Sequence, residues 1–209
     1  MKKQIAKDLL SIEAVFLSPN QPFTWASGIK SPIYCDNRLT LSDVKVRNDI
    51  KKALAKLVTK NFPDCEMLMG TATAGIAPAA LVADYLQMPM GYVRANAKDH
   101  GRAKQIEGNC PVKTKVVVIE DLISTAGSVI EICNILKEND IEVLGIVSIF
   151  TYGMEKGLEK LKAANLINYS ASNLDTLVKV AVKQKQITKE EKDKIISFRN
   201  NPSDESWLN

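Results

Sequence analysis

The spacing of hydrophobic residues changes along the chain and divides it into two parts. Up to about residue 60, apolar residues recur at helical spacing in two stretches, residues 4–16 and 43–60, and both predict helices. Ser42 is the expected cap of the second helix. Between them, residues 17–40 contain Pro and Gly at four positions and predict an extended, turn-rich segment. The apolar face of the first predicted helix consists of Ile5, Leu9, Ile12 and Phe16.

Beyond this point, short apolar runs alternate with helical stretches. The runs that predict strands are Glu66–Gly70, Met90–Arg94, Lys115–Glu120 and Val143–Phe150. Helices are expected near residues 75–86, 127–138, 155–164, 173–183 and 188–198. Strands that are apolar throughout are typical of parallel sheets, in which both faces are buried. We therefore predict a single α/β domain over residues 1–209, with a mostly parallel central sheet flanked by helices and a small N-terminal cap formed by about residues 1–40.

Composition and charge exclude several classes of protein. The 209 residues include 28 Lys and Arg against 24 Asp and Glu, and a net charge of +4 is too small to indicate nucleic-acid binding. No apolar run reaches the roughly 18 residues that a membrane helix needs, so no membrane association is expected. Four scattered cysteines and a single histidine exclude a Cys/His zinc site of the usual spacing and favour a reduced, cytoplasmic protein.

An acidic pair and a run of small polar residues follow the strongest predicted strand. Ligands of parallel sheets bind beyond the carboxyl ends of the strands. There, Glu120 and Asp121 could hold a sugar diol or approach a magnesium ion. Ser124–Ser128 lead into a helix, whose free backbone N–H groups and dipole favour a phosphate. The combination predicts a site for a phosphorylated sugar; the alternative is an ordinary strand-to-helix loop with a Ser/Thr cap.

Two further segments are candidates for binding anions. Gly70–Gly75 has the glycine spacing of a P-loop, but Ile76 follows where that loop requires Lys, so it is not a Walker A sequence. It could hold a diphosphate through backbone N–H groups, or it could be a tight turn packed on the sheet. Arg94–Gly108 has no periodicity and carries several cations, which suggests a lid over an anionic substrate; the alternative is a solvated surface loop. Its basic residues are Arg94, Lys98, His100, Arg102 and Lys104.

Three segments resemble those of a known enzyme family. Val116–Ser128 resembles the phosphoribosyl-pyrophosphate motif of type I phosphoribosyltransferases. Phe23–Arg38 resembles the orotate-binding segment of the orotate phosphoribosyltransferases, and Lys98–Gly101 with Gln105–Gly108 resembles their mobile catalytic loop. The order and spacing of the three segments fit, and the resemblance covers nearly the whole chain. It implies a type I phosphoribosyltransferase fold whose N-terminal cap lies over the base site.

The resemblance also implies a reaction and a set of site residues. The phosphoribosyl group of 5-phosphoribosyl 1-pyrophosphate (PRPP) would pass to orotate, giving orotidine 5′-phosphate and diphosphate in de novo pyrimidine biosynthesis. The resemblance assigns catalysis to Lys98, His100 and Asp121. The residues it places on PRPP are Thr71, Ala72, Thr73, Ala74, Gly75, Arg94, Lys98, His100, Glu120, Asp121, Leu122, Ile123, Ser124, Thr125, Ala126, Gly127 and Ser128. Those it places on orotate are Tyr34, Cys35, Ser124 and Thr125.

Cofactor and assembly follow from the same resemblance. Mg2+ is expected to be held mainly by substrate and water, so no residue is assigned as a direct ligand. A homodimer is expected, in which Arg94, Lys98 and His100 reach the diphosphate in the partner's site. Many members have a basic residue where this chain has Ala26, Ala74 or Tyr152.

Two other functions remain as alternatives. One is a non-catalytic regulator that senses PRPP, for which no extension of the size of a DNA-binding module is present. The other is transfer to a purine base, against which the segment 23–38 argues.

Overall fold

A six-stranded sheet lies at the centre of the computed structural model, which describes residues 1–24, 28–95 and 105–208. The strand order is β10–β9–β8–β5–β6–β7, and all neighbours are parallel except β6 and β7. Two short antiparallel pairs, β1 with β4 and β2 with β3, lie outside this sheet. The strands are β1 Val15–Leu17, β2 Phe23–Thr24, β3 Lys30–Ser31, β4 Ile33–Cys35, β5 Met67–Thr71, β6 Met90–Val93, β7 Ile106–Glu107, β8 Lys115–Ile123, β9 Glu142–Thr151 and β10 Asn168–Asn173.

Helices cover both faces of the sheet. Side chains of α1, α2, α3, α6 and α7 pack on one face, and those of α4 and α5 pack on the other. The helices are α1 Lys2–Ser11, α2 Val44–Asn61, α3 Ile76–Leu86, α4 Gly127–Glu138, α5 Glu155–Ala163, α6 Leu174–Lys183 and α7 Lys189–Asn200. Two short 3-10 helices span Asn37–Leu41 and Ser206–Leu208. No helix within the described ranges has both the length and the apolarity required to cross a membrane.

The central strand β8 shows why an apolar run indicated this fold. Val117 and Ile119 belong to the core on one face of the sheet, whereas Val116 and Val118 belong to the core on the other. Neighbouring side chains of a strand point to opposite faces, so a strand between two helical layers must be apolar at every position. The predicted α/β class with a mostly parallel sheet is confirmed.

The first predicted helix is wrong in its second half. Helix α1 ends at Ser11, Glu13 adopts a left-handed backbone with φ of 55°, and the chain continues as strand β1. Phe16 is therefore not on a helical face: it is 44% exposed and packs edge-on against Phe23, with ring centroids 5.9 Å apart. Val15 is buried and Phe16 is exposed, which is the alternation of a strand, and a segment of this length fits both periodicities.

Local side chains explain two further differences from the predicted elements. Helix α2 is capped by Asp43 and not by Ser42, because the Asp43 carboxylate accepts a hydrogen bond from the backbone N–H of Val46 at 2.8 Å. Strand β10 was missed because its sequence, NYSASN, is largely polar. Its Ser170 is nevertheless buried, since its hydroxyl lies 2.7 Å from that of Ser148 on β9.

Candidate active site

The two predicted anion-binding loops meet at one edge of the sheet. Strands β5 and β8 are parallel neighbours, so Gly70–Gly75 and Glu120–Ser128 both lie at the carboxyl edge. The Thr71 hydroxyl donates a hydrogen bond to Glu120 Oε1 at 2.9 Å, and both residues are buried. The two segments thus lie together at one edge of the sheet, and a side-chain hydrogen bond joins them.

Glu120 is the most strongly perturbed acid of this site. It is 6% exposed, and burial raises its pKa to about 8, with the neighbouring Asp121 as the second cause. Its Oε1 atom also accepts a hydrogen bond from the Asp121 N–H at 2.9 Å. A substantial fraction of Glu120 is therefore protonated at neutral pH. The sequence alone predicts carboxylates at both members of the acid pair.

Strand β8 continues past the acid pair. It extends to Ile123, so the expectation that it ends at Glu120 is wrong. Leu122 and Ile123 pair with Phe150 and Thr151 of β9, and Ile123 is buried in the core. The extension was hidden because the polar acid pair interrupts the apolar run that predicted the strand.

A tight turn joins β8 to helix α4. Ser124 and Thr125 form the turn, and Ala126 has a left-handed backbone with φ of 61°. Helix α4 begins at Gly127, with Gly127 and Ser128 exposed in its first turn. The first N–H groups of a helix have no partner within that helix, so this turn has the form of an anion site.

The loop after β5 packs closely against the sheet. A Cβ atom on Gly75 would overlap the Thr71 hydroxyl and lie 2.5 Å from the carbonyl oxygen of Ile119. The Gly75 N–H donates to the Thr71 carbonyl at 2.9 Å, while Thr73 is exposed and Ala72 and Ala74 are half-buried. The interpretation of this segment as a tight turn packed on the sheet is therefore confirmed, and its binding of a diphosphate stays a prediction.

The N-terminal segment brings two expected orotate residues to the same edge. Tyr34 and Cys35 lie on β4, and the Tyr34 ring is 5.6 Å from that of Phe23. Burial raises the pKa of the Cys35 thiol above its usual range, with the charge of Asp121 as the second cause. Burial likewise raises the pKa of Tyr152, followed by the charges of Cys35 and Asp121. Both groups therefore lie near enough to Asp121 for its charge to raise their pKa values.

Asn37 is a residue of this site that sequence reasoning missed. Its side-chain N–H donates to the carbonyl oxygen of Asp121 at 2.8 Å. The residue is 2% exposed, and its Oδ1 atom has no hydrogen-bond partner among the described residues. Asn37 ties the 3-10 helix that follows β4 to the acid pair. An isolated Asn between charged neighbours carries no periodic signal, so the sequence alone could not have assigned it.

The cationic segment begins beside the Gly70–Gly75 loop. Arg94 follows Val93, whose carbonyl oxygen accepts a hydrogen bond from Ala72 at 2.8 Å. The Arg94 guanidinium lies 5.3 Å from the centroid of the Tyr92 ring, and its Nε atom is 3.9 Å from a carboxylate oxygen of Glu107. Lys98, His100, Arg102 and Lys104 lie outside the described residues, as does Ala26.

Known proteins share both the sequence and the fold. The phosphoribosyl transferase domain family matches residues 45–187. An orotate phosphoribosyltransferase of Bacillus cytotoxicus is 56% identical over 208 residues, covering 100% of this chain and 99% of the relative. One of Halalkalibacterium halodurans is 53% identical over 209 residues and covers 100% of both chains. The crystal structure of orotate phosphoribosyltransferase from Aeropyrum pernix superposes with a TM-score of 0.75 at 28% identity, over 88% of this chain and 99% of that chain.

Proposed function

The chain belongs to the phosphoribosyl transferase domain family and, within it, to the orotate phosphoribosyltransferases. We propose that it catalyses the reaction of these enzymes at the edge of the sheet where β5 and β8 end. The phosphoribosyl group of PRPP passes to orotate, and the products are orotidine 5′-phosphate and diphosphate. The observation that carries the proposed site is the hydrogen bond from Thr71 to Glu120, which joins β5 and β8 where they lead into the two candidate anion-binding loops. Relatives of this name align over their full length, which favours orotate transfer over a PRPP-sensing regulator or a purine-base enzyme.

Each loop takes one part of PRPP in this proposal. Glu120 and Asp121 bind the ribose hydroxyls, because carboxyl oxygens accept hydrogen bonds from a diol whether or not the group is protonated. Ser124–Ser128 bind the 5′-phosphate through the N–H groups at the start of α4. Thr71–Gly75 bind the diphosphate through the part of the loop around the exposed Thr73. Leu122 and Ile123 contribute through their backbone, since the Ile123 side chain is buried in the core.

In this proposal, orotate binds between the acid pair and the N-terminal segment. Tyr34 and Cys35 would form the wall supplied by the N-terminal segment, and Ser124 and Thr125 would complete the base site from the turn after β8. Tyr152 stands where many family members have a basic residue, and it is buried beside this wall. Recognition of the base in this chain therefore rests on neutral hydrogen-bonding groups and aromatic contact in place of that cation.

The chemistry requires little covalent work from the protein. Displacement at the anomeric carbon passes through an oxocarbenium-like transition state, as in other glycosyl transfers. The site aligns the reactants and stabilises the negative charge on the departing diphosphate. Arg94, Lys98 and His100 are the proposed donors to that diphosphate. Closing their segment over the substrates would exclude water and strengthen these interactions.

Magnesium fits the donor set of the acid pair. Mg2+ is usually bound through one or two carboxylates together with substrate phosphates and water. Asp121 supplies carboxylate oxygens of this class at the sheet edge, and a bound cation would favour the ionised form of Glu120 beside it. When bound, Mg2+ would neutralise diphosphate charge, and most of its ligands would come from substrate and water.

Assembly and compartment are further parts of the proposal. We infer a homodimer in which Arg94, Lys98 and His100 reach into the partner's site, on the resemblance of their segment to the family's mobile loop. A cytoplasmic location is supported by the four cysteines, all of which are free in the described structure.

Loss of orotate absorbance tests the reaction directly. Adding PRPP and Mg2+ to the purified protein should consume orotate, and EDTA should stop the reaction. Hypoxanthine and guanine serve as competing bases in parallel assays. Turnover of a purine without turnover of orotate would replace the base assignment, and PRPP binding without turnover of any base would favour the regulator.

A further inference from the structure

Helix α5 packs against the back of the phosphate loop, the segment Ser124–Ser128 that is proposed to bind the 5′-phosphate. At the point of contact, α5 has no room for a side chain. Gly157 lies in the first turn of α5 and is buried. A Cβ atom built on Gly157 would lie 2.6 Å from the carbonyl oxygen of Ser124, and 3.4 Å and 3.5 Å from the Cα and carbonyl carbon of Thr125. The first distance is shorter than real Cβ contacts allow, so the loop backbone rests directly on the helix backbone.

The chain that leads into α5 holds Ile123, the residue before the phosphate loop. The Ile123 carbonyl oxygen accepts hydrogen bonds from the Thr151 hydroxyl at 3.2 Å and from the Tyr152 N–H at 3.0 Å. The Thr151 hydroxyl in turn accepts from the Gly153 N–H at 3.1 Å. We call Thr151–Gly157 the loop brace. It contacts the backbone from Ile123 to Thr125 along one side.

Peptide geometry connects this brace to the ligand side of the loop. In a planar trans peptide, the carbonyl and the following N–H point in opposite directions. The Ser124 oxygen is the atom nearest to the Gly157 position, so it faces α5. The Thr125 N–H of the same peptide therefore points away from α5. Thr125 directly precedes Ala126 and the first turn of α4, whose free N–H groups are the proposed donors to the phosphate.

From this geometry we infer that Gly157 is a positioning residue for the 5′-phosphate of PRPP. Its lack of a side chain lets the Ser124–Thr125 peptide take the orientation in which Thr125 N–H can donate to the phosphate. A methyl group at residue 157 would push the Ser124 oxygen and turn that peptide. The inference rests on the proposed role of Ser124–Ser128 in PRPP binding.

Gly157→Ala tests the inference by separating substrate affinity from folding. We expect the KM for PRPP to rise about tenfold, the effect of one weakened charge-assisted hydrogen bond. The KM for orotate should rise less than that for PRPP, because Ser124 and Thr125 would reach orotate through their side chains while the perturbed peptide donates to the phosphate. The kcat should change little. Lys156→Ala and Leu158→Ala are matched controls, since both side chains are exposed on the same helix and contact solvent.

Thermal unfolding distinguishes positioning from a purely structural role. Without a steric conflict, Gly→Ala within a helix raises stability. A folded Gly157→Ala protein with wild-type KM for PRPP would overturn the inference. Equal increases in both KM values together with a lower melting temperature would also overturn it, since that pattern reports general damage.

A second variant decides the matter if Gly157→Ala does not fold. Thr151→Val keeps the shape of the side chain and removes the hydrogen bond from its hydroxyl to Ile123. A selective, smaller rise in the KM for PRPP would support the brace, and an unchanged KM would contradict it.

Calorimetry of PRPP binding keeps this test separate from the proposed function. If the wild-type protein binds PRPP but does not convert orotate, the reaction assignment fails. A larger PRPP dissociation constant for Gly157→Ala than for Lys156→Ala would still support the brace.

Discussion

Glu120 connects the pH of the solution to the stability of the site. Its pKa in the folded protein is about 8, against an ordinary value of 4.5, because the carboxyl is buried and lies beside Asp121. The folded state thus holds this proton more tightly than the unfolded chain does. Its contribution to stability is fully present below about pH 4.5 and is lost as the pH rises to about 8, above which both states are ionised.

Replacing Glu120 with Gln should flatten part of the pH dependence of folding. The free energy of unfolding of Glu120→Gln should fall less steeply than that of the wild type between pH 4.5 and 8, because the amide does not titrate. Urea unfolding at several pH values measures this difference. Glu142→Gln is the control, since Glu142 is exposed at the opposite end of the sheet. Parallel pH profiles for Glu120→Gln and the wild type would contradict the raised pKa.

At the scale of elements, the sequence determined the sheet wherever a strand is covered on both faces. Strand β8 was recognisable because Val116 to Ile119 are all apolar, and the position of the acid pair at the carboxyl edge followed from it. Strand β10 was not recognisable, because the hydroxyl of Ser170 is satisfied by Ser148, a contact 22 residues away that no local pattern encodes. The role of Asn37 could not be predicted for the same reason, because its partner, Asp121, is 84 residues distant.

The close approach of the β5 loop to β8 predicts the effect of a single methyl group. Gly75→Ala should lower the free energy of unfolding by about 1–3 kcal/mol, the usual cost of overpacking. The added Cβ would meet the Thr71 hydroxyl and the Ile119 carbonyl, and would disturb the hydrogen bond from Thr71 to Glu120. Gly127→Ala is a matched control for stability, because no atom lies within 4 Å of a Cβ built there. Equal unfolding curves for the two variants would show that the loop can adjust.

The tie between the N-terminal segment and the acid pair should be measurable at Asn37. Asn37→Ala removes the donor to the partly buried Asp121 carbonyl, and we expect a loss of about 1–2 kcal/mol in unfolding free energy. The KM for orotate should also rise, because Asn37 follows the strand that carries Tyr34 and Cys35. Leu39→Ala, an exposed position of the same 3-10 helix, is the control. A stable Asn37→Ala protein with unchanged KM would remove Asn37 from the site.

At the scale of the whole molecule, the site is assembled from distant parts of the chain. The residues around Asp121 come from the N-terminal segment, from β8 itself and from the end of β9. The fold class could be predicted because burial patterns are local. Contacts between these parts could not be predicted, because they depend on how the N-terminal segment packs against the sheet. The resemblance supplied the N-terminal part at Tyr34 and Cys35, which periodicity alone had left as an unassigned extended segment.

The proposed sharing of sites between two subunits makes a prediction that only an assembly can fulfil. Asp121→Asn damages a site on its own subunit, whereas His100→Ala damages the site that its segment enters. If His100 acts in the partner's site, a mixed dimer contains one site with both residues intact and one site with neither. Equal mixing yields mixed dimers for half of the population, so about a quarter of wild-type activity should return from two nearly inactive parents. If His100 acted within its own subunit, every site of the mixed dimer would carry one defect and no activity would return.

The variants are therefore refolded together, mixed dimers are isolated by a tag on one parent, and orotate consumption is measured. Isolated mixed dimers without activity would place His100 in its own subunit's site, and a monomer at assay concentration would refute the shared arrangement altogether.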